Sequence, residues 1–261
     1  FFSPTHLDGD IGRINAARGE AVAVSPETAQ AIEAALGWCT LSQGMLDITM
    51  GGVSALWDFD RAIVPGAEAL DRAVAHVDFH HVKLDAQDTP LVQLEDPETT
   101  LDLGCLAIGY VVDDLAGLLR TCGIADMRIQ LGGTVTAQGR QPDDSPWTVD
   151  LHNPTKPDTV FAHLPLDGSS TFVHSLYERS FAKDGTFYHD VLGTGDGRPV
   201  PTDLDSVTVI AESALDCNAC GKLAFPLGVA GAQELADSIP GIEMLLVASD
   251  GSLAASRGIH L

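Results

Sequence analysis

The hydrophobic positions of this chain switch between the spacing of a helix and that of a strand, which predicts a mixture of both elements. Ser25 and Pro26 predict the start of the first long helix, because Ser caps a helix N-terminus well and Pro suits the first helical position. The apolar residues that follow share one helical face: Ile32, Ala35, Leu36 and Cys39. Gly44 is predicted to end this helix.

The middle of the chain gives the clearest pattern. One apolar face over residues 106–122 predicts a helix, and Gly123 follows it as the residue that tolerates a left-handed stop. Two alternating segments, 127–131 and 134–138, predict strands joined by a Gly-Gly turn. Residues 100–103, just before the helix, are predicted to be the end of a strand.

The other predicted elements continue this mixture. They are a short helix at 67–74, strands at 82–84 and 92–94, antiparallel sheet within 147–188, a loop at 193–201, a strand at 206–210, helices at 213–225 and 230–239, and a closing hairpin over 244–256. Helices and strands do not alternate strictly, so the pattern predicts an α+β fold rather than a doubly wound one. We therefore expect one domain over residues 1–261, with a mixed, largely antiparallel sheet flanked by helices.

Acidic residues far outnumber basic ones. The chain has 37 Asp and Glu against 14 Lys and Arg, which gives a net charge of -23. Such a surface repels nucleic-acid phosphates and anionic lipid, so we expect neither as a partner. A dinucleotide would then need a metal ion or a local set of backbone N–H groups. The simpler interpretation is that the acid keeps the protein soluble.

The sequence predicts no membrane-spanning helix. No run of eighteen apolar residues occurs in it. No signal peptide is recognisable either. Because the sequence opens at Phe1 rather than at Met, we expect an N-terminal segment to be missing from it.

The five cysteines do not form the pattern of a small disulfide scaffold. Cys39 and Cys122 fall on apolar helix faces and are expected to be buried small hydrophobes. Cys217 and Cys220 form a single C-x-x-C without a second pair, which argues against a structural zinc site.

Two short glycine-containing segments are candidates for binding chemistry. Residues 44–52 form a glycine-bounded turn that carries Asp47 and Thr49. Residues 101–107 place Asp102 at a strand-to-helix junction, where backbone N–H groups can bind phosphate oxygens. The alternative is that each is a tight turn with a capping Asp, since short motifs give many false positives.

A further candidate lies on the predicted helix after residue 213. Asp216 and Cys220 are four residues apart, so their side chains point the same way. Together with Asp102 or the Cys105 carbonyl they would be able to hold a cation. However, Mg²⁺ prefers oxygen ligands and a thiol suits it poorly. On spacing alone, Asp216 is also explained as an acid at a helix N-terminus.

Seven segments, taken in order, carry a family resemblance. They are DIGRIN at 10–15, MLDITMG at 45–51, LWDF at 56–59, DLGCLAIGYVVD at 102–113, LGG at 131–133, YER at 177–179 and SVTV at 206–209, followed by the helix of Asp216. They resemble the FAD:protein FMN transferases of the ApbE type, once described as thiamine-biosynthesis lipoproteins. The resemblance covers nearly the whole chain.

The resemblance implies an activity. Family members fold as a single α+β domain and bind FAD between sheet and helices. A Thr or Ser hydroxyl of an acceptor protein attacks the FMN phosphorus, and AMP leaves. A divalent ion, usually Mg²⁺, offsets the charge that builds on the phosphates. The family resemblance also implies an extracytoplasmic location and a possible lipid anchor outside this chain.

The resemblance also implies site residues. The positions that would fall in the flavin site are Asn15, Met45, Leu46, Asp47, Asp102 and Val191. The metal would take the backbone carbonyl of Cys105 and the side chains of Asp216 and Cys220. The resemblance gives no catalytic residue.

Several positions depart from the family pattern. Ile108 replaces a Lys, Thr134 replaces an Asn or Asp, and Cys220 replaces the metal-binding Thr. The loop over 190–197 lacks the family's His, Asp and Arg. Each lost charge-assisted contact costs about 1.5–3 kcal/mol. Two alternatives therefore stay open beside the transferase: a non-catalytic flavin- or ligand-binding relative, and a hydrolase that splits FAD into FMN and AMP.

Overall fold

The structure is a computed structural model that describes residues 2–259 of the chain. Its described part combines helices with antiparallel strands, which confirms the predicted α+β class. The helices are α1 (Asp10–Ala16), α2 (Pro26–Leu41), α3 (Gly51–Ser54), α4 (Ala67–Val74), α5 (Gly104–Thr121) and α6 (Ala214–Ser238). The strands are β1 (Val22–Ala23), β2 (Val82–Asp85), β3 (Leu91–Leu94), β4 (Met127–Leu131), β5 (Thr134–Gln138), β6 (Trp147–Asn153), β7 (Lys156–Leu166), β8 (Ser169–Ser175), β9 (Ser180–Lys183), β10 (Thr186–His189), β11 (Leu204–Ala211), β12 (Glu243–Ala248) and β13 (Leu253–Ala255).

The chain folds into two compact units that each use two separate stretches of sequence. The first unit takes the chain up to Ala107 together with Phe181–Pro199. The second unit takes Ile108–Ser180 together with the chain from Val200 onward. The expectation of one domain over residues 1–261 stays a prediction.

The first unit contains a small antiparallel sheet in the order β1-β3-β2 and the pair β9 and β10. The helix α2 begins where the sequence predicts, because Ser25 accepts a hydrogen bond from the Thr28 backbone N–H at 3.2 Å. Asp10 joins α1 to this cap. Its carboxylate accepts hydrogen bonds from the Ser25 N–H at 3.0 Å and the Thr28 hydroxyl at 2.7 Å, and it also pairs with Arg13.

An aromatic cluster organises the rest of the first unit. The ring of Trp57 stacks on Phe59 with 5.6 Å between centroids, and Phe181 and Tyr188 pack against the same cluster. The indole N–H of Trp57 donates a 2.9 Å hydrogen bond to the Gly197 carbonyl. This buried bond ties the loop after β10 to the cluster.

The described part of the second unit contains a six-stranded antiparallel sheet in the order β13-β12-β11-β8-β5-β4. On one side, α6 lies so close that a Cβ at Gly221 would be 2.4 Å from the Phe172 ring. The β6–β7 hairpin packs its apolar residues against others from β5 and β12, including Val135 and Leu245. The sheet therefore has a helical side and a hairpin side.

The two helices predicted at 213–225 and 230–239 are confirmed: α6 consists of two helical parts that meet at a kink, where the backbone of Gly228 is non-helical with a φ of 68°. Two other expectations need correction. Residues 100–103 form no strand, since this described segment has only an isolated parallel bridge from Thr100 to Met50. The helix α1 lies in a segment for which the sequence predicted no element.

The cysteine predictions have mixed outcomes. Cys39 is buried, as expected. The expectation for Cys122 is wrong: its side chain is exposed, because α5 ends at Thr121 and the chain turns there. None of the five cysteines, which all lie in the described part of the chain, forms a disulfide.

Candidate functional site

The Asp47 carboxylate is fixed by the turn that surrounds it. One of its oxygens accepts hydrogen bonds from the Thr49 backbone N–H at 2.7 Å and the Thr49 hydroxyl at 2.6 Å. The other accepts a 2.9 Å hydrogen bond from the Phe79 backbone N–H. Burial raises the pKa of Asp47, the hydrogen bonds partly oppose this, and the charge of Asp78 raises it further. Asp47 therefore anchors the turn from two directions.

Met45 and Leu46 precede Asp47 on the same turn. The Leu46 N–H donates a 3.1 Å hydrogen bond to the Ser42 hydroxyl, which holds the backbone here. Met45 leaves 44% of its surface exposed. The turn therefore presents an apolar side chain to solvent beside a fixed carboxylate.

Asn15 reaches from α1 to the segment before Asp102. Its amide nitrogen donates to the Leu101 carbonyl at 2.9 Å, and its amide oxygen accepts from the Leu101 N–H at 2.8 Å. Its nitrogen also donates to the Pro4 carbonyl at 3.1 Å. Asn15 thus binds the backbone of the Asp102 segment as a strand neighbour would.

The segments of Asp47 and Asp102 lie side by side. The Asp102 N–H donates to the Ile48 carbonyl at 2.8 Å, and the Gly51 N–H donates to the Thr100 carbonyl at 3.0 Å. A Cβ at Gly51 would lie 2.7 Å from the Thr100 oxygen, so this approach requires glycine. The structure therefore brings the two predicted binding segments together.

Asp102 closes the junction into α5. Its carboxylate accepts a 2.9 Å hydrogen bond from the Gly104 N–H, and Gly104 has a φ of 52° in the left-handed region. The carboxylate is half-buried. Asp102 thus caps the turn from which the Cys105 segment begins.

Val191 and the loop after β10 form a compact turn. Val191 is buried, with 6% of its surface exposed. The Gly193 N–H donates to the Arg198 carbonyl at 2.8 Å, and the Gly197 N–H donates to the Gly193 carbonyl at 2.9 Å. The exposed Arg198 directly follows Gly197 at the end of this turn.

In the second unit, Asp113 of α5 holds the start of α6. Its carboxylate accepts hydrogen bonds from the Ser213 hydroxyl at 2.8 Å, the Ala214 N–H at 2.8 Å and the Leu215 N–H at 3.0 Å. The Asp216 N–H donates to the Ser213 hydroxyl at 3.2 Å. These first-turn N–H groups are therefore already bound within the protein.

The approach of α5 to α6 depends on Gly109. A Cβ there would lie 2.5 Å from the Leu215 Cα. Ile108, the residue before it, leaves 37% of its surface exposed. The position where the family has a Lys therefore presents an apolar side chain to solvent.

Comparison with known proteins gives the family. The model of the ApbE family matches residues 1–246. This chain belongs to the ApbE family. A relative from Treponema pallidum, named FAD:protein FMN transferase, is 31% identical over 97% of this chain and 74% of its own length. One of the same name from Salmonella typhimurium is 29% identical over 87% of this chain and 67% of its own.

Solved ApbE structures share the fold. The ApbE protein of Thermotoga maritima superposes with a TM-score of 0.87 at 27% identity, covering 98% of this chain and 84% of that one. The flavinyl transferase ApbE of Pseudomonas stutzeri, in its apo form, gives 0.84 at 26% identity, covering 98% and 81%. The likeness therefore extends through both units of this ApbE-family chain.

The predicted metal ligands of this ApbE-family chain differ in how well they suit a hard cation. Asp216 is half-buried and offers carboxylate oxygens, which Mg²⁺ prefers. Cys220 is completely buried, and burial, followed by the charge of Asp216, raises the pKa of its thiol to about 12. A protonated, buried thiol is a poor ligand for Mg²⁺. Within residues 2–259, no group of three His, Cys, Asp or Glu side chains is arranged to hold a metal ion.

The Cys220 side chain therefore does not fit its predicted role, while the roles of Asp216 and the Cys105 carbonyl stay predictions. Another substituted position, Thr134, lies close to the same helix. Its hydroxyl donates a 3.0 Å hydrogen bond to the Asn218 side chain, and both residues are buried. The hydroxyl that this substitution introduces thus has a hydrogen-bond partner inside the protein.

Sequence reasoning missed the part played by Asp113. It lies at the end of the DLGCLAIGYVVD segment, but its three partners are 100 to 102 residues away in the chain. No local pattern reports such a pair.

Proposed function

We propose that this chain is an FAD:protein FMN transferase, which moves FMN from FAD to a Thr or Ser hydroxyl of an acceptor protein. The observation that carries the proposal is the likeness to the Treponema pallidum relative of that name along nearly the whole chain. The shared fold supports it. In the reaction, the hydroxyl oxygen forms a bond to the FMN phosphorus, the bond from that phosphorus to AMP breaks, and the hydroxyl proton is lost.

The residues of the first unit would bind and orient the flavin. Met45 offers an exposed apolar surface of the kind on which a flat aromatic ring packs. Asp47 holds its turn through Thr49 and Phe79, so that surface is fixed before the ligand arrives. Asn15 fixes the position of the Asp102 segment through the Leu101 backbone. These contacts support a preorganised site, which lowers the entropy lost on binding.

The proposal includes a divalent metal ion. When bound, such an ion would offset negative charge on the phosphates of FAD. The residues proposed to hold it are Asp216, through its carboxylate, and Cys105, through its backbone carbonyl. The Cys220 thiol is left out of this set, because its buried and protonated state does not suit the ion. Asp113 would support the position of Asp216 indirectly, because its carboxylate holds the first turn of the helix that carries Asp216.

The partner and the location are also proposals. The proposed partner is a protein that accepts the flavin. This rests on the relatives, whose name, FAD:protein FMN transferase, includes a protein as the acceptor. We propose an extracytoplasmic location with a lipid anchor outside this chain. Across the described residues, the helices are too short or too polar to traverse a bilayer.

Two substitutions favour a second candidate, a relative that binds flavin without transferring it. Ile108 is exposed at the position of a family Lys, and Cys220 cannot serve as the metal-binding Thr does. Both changes remove stabilisation of phosphate charge rather than contacts to the flavin ring. Binding would then survive while transfer is lost.

One experiment separates the candidates. The protein is incubated with FAD, Mg²⁺ and an acceptor domain, and the acceptor is analysed by mass spectrometry while AMP and FMN are separated by chromatography. We expect a gain of one FMN on the acceptor and an equal amount of free AMP. An acceptor with its Thr replaced by Val should stay unmodified. Free FMN and AMP without a modified acceptor would indicate a hydrolase.

The matched variants lie on one helix. Asp216→Asn should lower transfer by roughly two orders of magnitude, because it removes a charged oxygen from the proposed metal set. Glu234→Gln removes an exposed charge from the same helix and should leave transfer unchanged. Binding of FAD without any cleavage, seen by calorimetry, would contradict the transferase and support the non-catalytic relative.

A further inference from the structure

A cavity in the second unit has no part in the proposed transfer reaction. Its volume is about 350 Å³, and it lies where the β6–β7 hairpin, the start of β11 and the β12–β13 turn meet. Its lining includes Asn153, Phe161, Asp205, Val247, Ser249 and Leu253. It shares no residue with the predicted flavin or metal set.

Two irregularities in strand pairing border this cavity. Leu204 pairs with Ala248 and Ser206 pairs with Val247, so Asp205 is an extra residue that forms a β-bulge. The hairpin also shifts register on either side of His152, just before Asn153. Bulges re-aim side chains and are frequent beside functional sites. Asp205, the extra residue of the bulge, is one of the residues that line the cavity.

The Asp205 carboxylate is buried with little compensation. Only 7% of the residue is exposed, and its side chain accepts one hydrogen bond, from the Ser249 hydroxyl at 3.0 Å. The ten lining residues, all within the described part, include Asp250 as a second acid and no Lys, Arg or His. A buried carboxylate is costly without a cation or several donors. The cavity therefore favours a ligand that brings positive charge.

Part of the cavity lining is apolar. Phe161 and Leu253 leave 37% and 46% of their surfaces exposed, and Pro154 and Val247 complete the apolar lining. An aromatic residue and an acidic residue that line the same cavity suit an organic cation, because a ring face attracts positive charge. The volume is at the small end of the range for ligand sites, which suits an amine rather than a nucleotide.

We propose that this cavity binds an ammonium or guanidinium group on an apolar stem, with Asp205 as its counter-ion. Two sources share this chemistry: a free organic amine, and a Lys or Arg side chain of another polypeptide. The proposal does not depend on flavin transfer, so its failure would leave the proposed function unchanged.

Protein NMR on the full chain tests the proposal, with phenethylammonium as the probe of a free amine. We expect saturable binding with a Kd of about 1 mM or tighter, with shifts of the amide signals of Asn153, Thr155 and residues 249–253. The neutral 2-phenylethanol should bind at least about tenfold more weakly, because it lacks the charge that Asp205 would pair. Capped lysine and arginine amides test the second source, and the tighter probe identifies which source applies.

Three variants decide whether the cavity is responsible. Asp205→Asn keeps the shape and a hydrogen-bond acceptor for Ser249 but should weaken phenethylammonium binding at least about tenfold. Phe161→Ala changes a partly exposed wall and should weaken it by a smaller factor. Asp158→Asn removes an exposed charge from the same hairpin and should leave the affinity unchanged. Equal loss in Asp158→Asn and Asp205→Asn, or no binding by any probe up to about 10 mM, would overturn the proposal.

Discussion

The carboxylate of Asp113 accepts a 2.8 Å hydrogen bond from the backbone N–H of Ala214, the first residue of α6. Together with its bonds to Leu215 and Ser213, this contact makes an acid on one helix the cap of another. The first-turn N–H groups and the positive end of the helix dipole are thus neutralised within the protein. The first turn of α6 therefore fixes the position of Asp216, and it does not offer these N–H groups to a phosphate.

Replacing Asp113 should destabilise the second unit. Asp113→Asn keeps the size but can accept at one oxygen only, so we expect a loss of about 1–3 kcal/mol in the free energy of unfolding. Urea denaturation followed by circular dichroism measures this. Asp114→Asn, at the exposed neighbouring position, is the matched control and should change stability by less than about 0.5 kcal/mol. Equal stability of the two variants would show that the cap contributes little.

The close approach at Gly51 predicts a sharp difference between two neighbouring glycines. Gly51→Ala places a Cβ 2.7 Å from the Thr100 oxygen and should cost about 1–3 kcal/mol of stability. The nearest atom to a Cβ at Gly52 is 4.0 Å away, so Gly52→Ala should be tolerated or slightly stabilising. Thermal unfolding of both variants compares them. FAD affinity should fall in Gly51→Ala alone, because its segment pairs with that of Asp102.

The bond from Trp57 to Gly197 predicts that the loop after β10 depends on the aromatic cluster. Trp57→Phe removes the indole N–H and leaves the buried Gly197 carbonyl without its donor, which should cost about 1–3 kcal/mol. Limited proteolysis should then cut within residues 190–199 faster than in the parent protein. Trp147→Phe loses a partly buried bond to the Gln138 carbonyl in the other unit. Faster cleavage of this loop in that control as well would argue against a local effect.

Asp10 predicts a loss of stability in acid. Burial alone raises its pKa, but the hydrogen bonds from Ser25, Thr28 and Arg13 outweigh burial and lower the pKa to about 2. Since the folded pKa lies below the unfolded one, the stabilisation is complete above about pH 4 and is lost as the pH falls toward about 2.

The difference between the parent protein and Asp10→Asn isolates this effect. At neutral pH the variant should be about 1.5–3 kcal/mol less stable, because it loses charge-assisted hydrogen bonds. That difference should shrink as the pH is lowered through the stated range. Asp8→Asn, at an exposed position nearby, should show almost no difference at any pH. A constant difference for Asp10→Asn would contradict the lowered pKa.

Cys220 predicts an engineered gain in metal-dependent binding. Cys220→Thr introduces a hydroxyl oxygen at the position of the family Thr, and we expect Mg²⁺-dependent FAD binding to tighten about fivefold to tenfold. Calorimetry with and without Mg²⁺ measures this. Cys220→Ala removes the thiol without adding an oxygen and should give no gain. Tighter FAD binding by both variants would contradict this prediction, because it would mean that the thiol obstructs the site and that the added oxygen is not the cause.

The elements that the sequence predicted well are those set by neighbouring residues. The cap of α2 at Ser25, the bounds of α4 and the paired strands β4 and β5 follow from caps, turns and periodicity within about ten residues. The strand predicted at 100–103 is wrong, because its backbone makes only an isolated bridge from Thr100 to Met50. Other backbone bonds of this segment go to the Asn15 side chain and the Ile48 carbonyl, which lie far away in the sequence.

The residues of the candidate site also fall into two groups: those that the sequence indicated and those that only the structure revealed. The sequence and the family motifs pointed to Asp47 and Asp102, and the structure lays their segments side by side through the Ile48 carbonyl. They did not reveal Asp113 as the cap of α6. The family motifs also predicted Cys220 as a metal ligand. Only the packing of the structure shows that its thiol is completely buried.

By itself, the sequence determined the α+β class, the acidic surface and most helix and strand positions of this ApbE-family chain, because propensity, capping and hydrophobic spacing act over short distances. Only the tertiary structure decided which carboxylates cap a helix or turn and which are buried with few partners. It also decided that Asp205 forms a bulge in the lining of a cavity. Burial and hydrogen bonding between distant residues set these properties, and neither is encoded in local spacing.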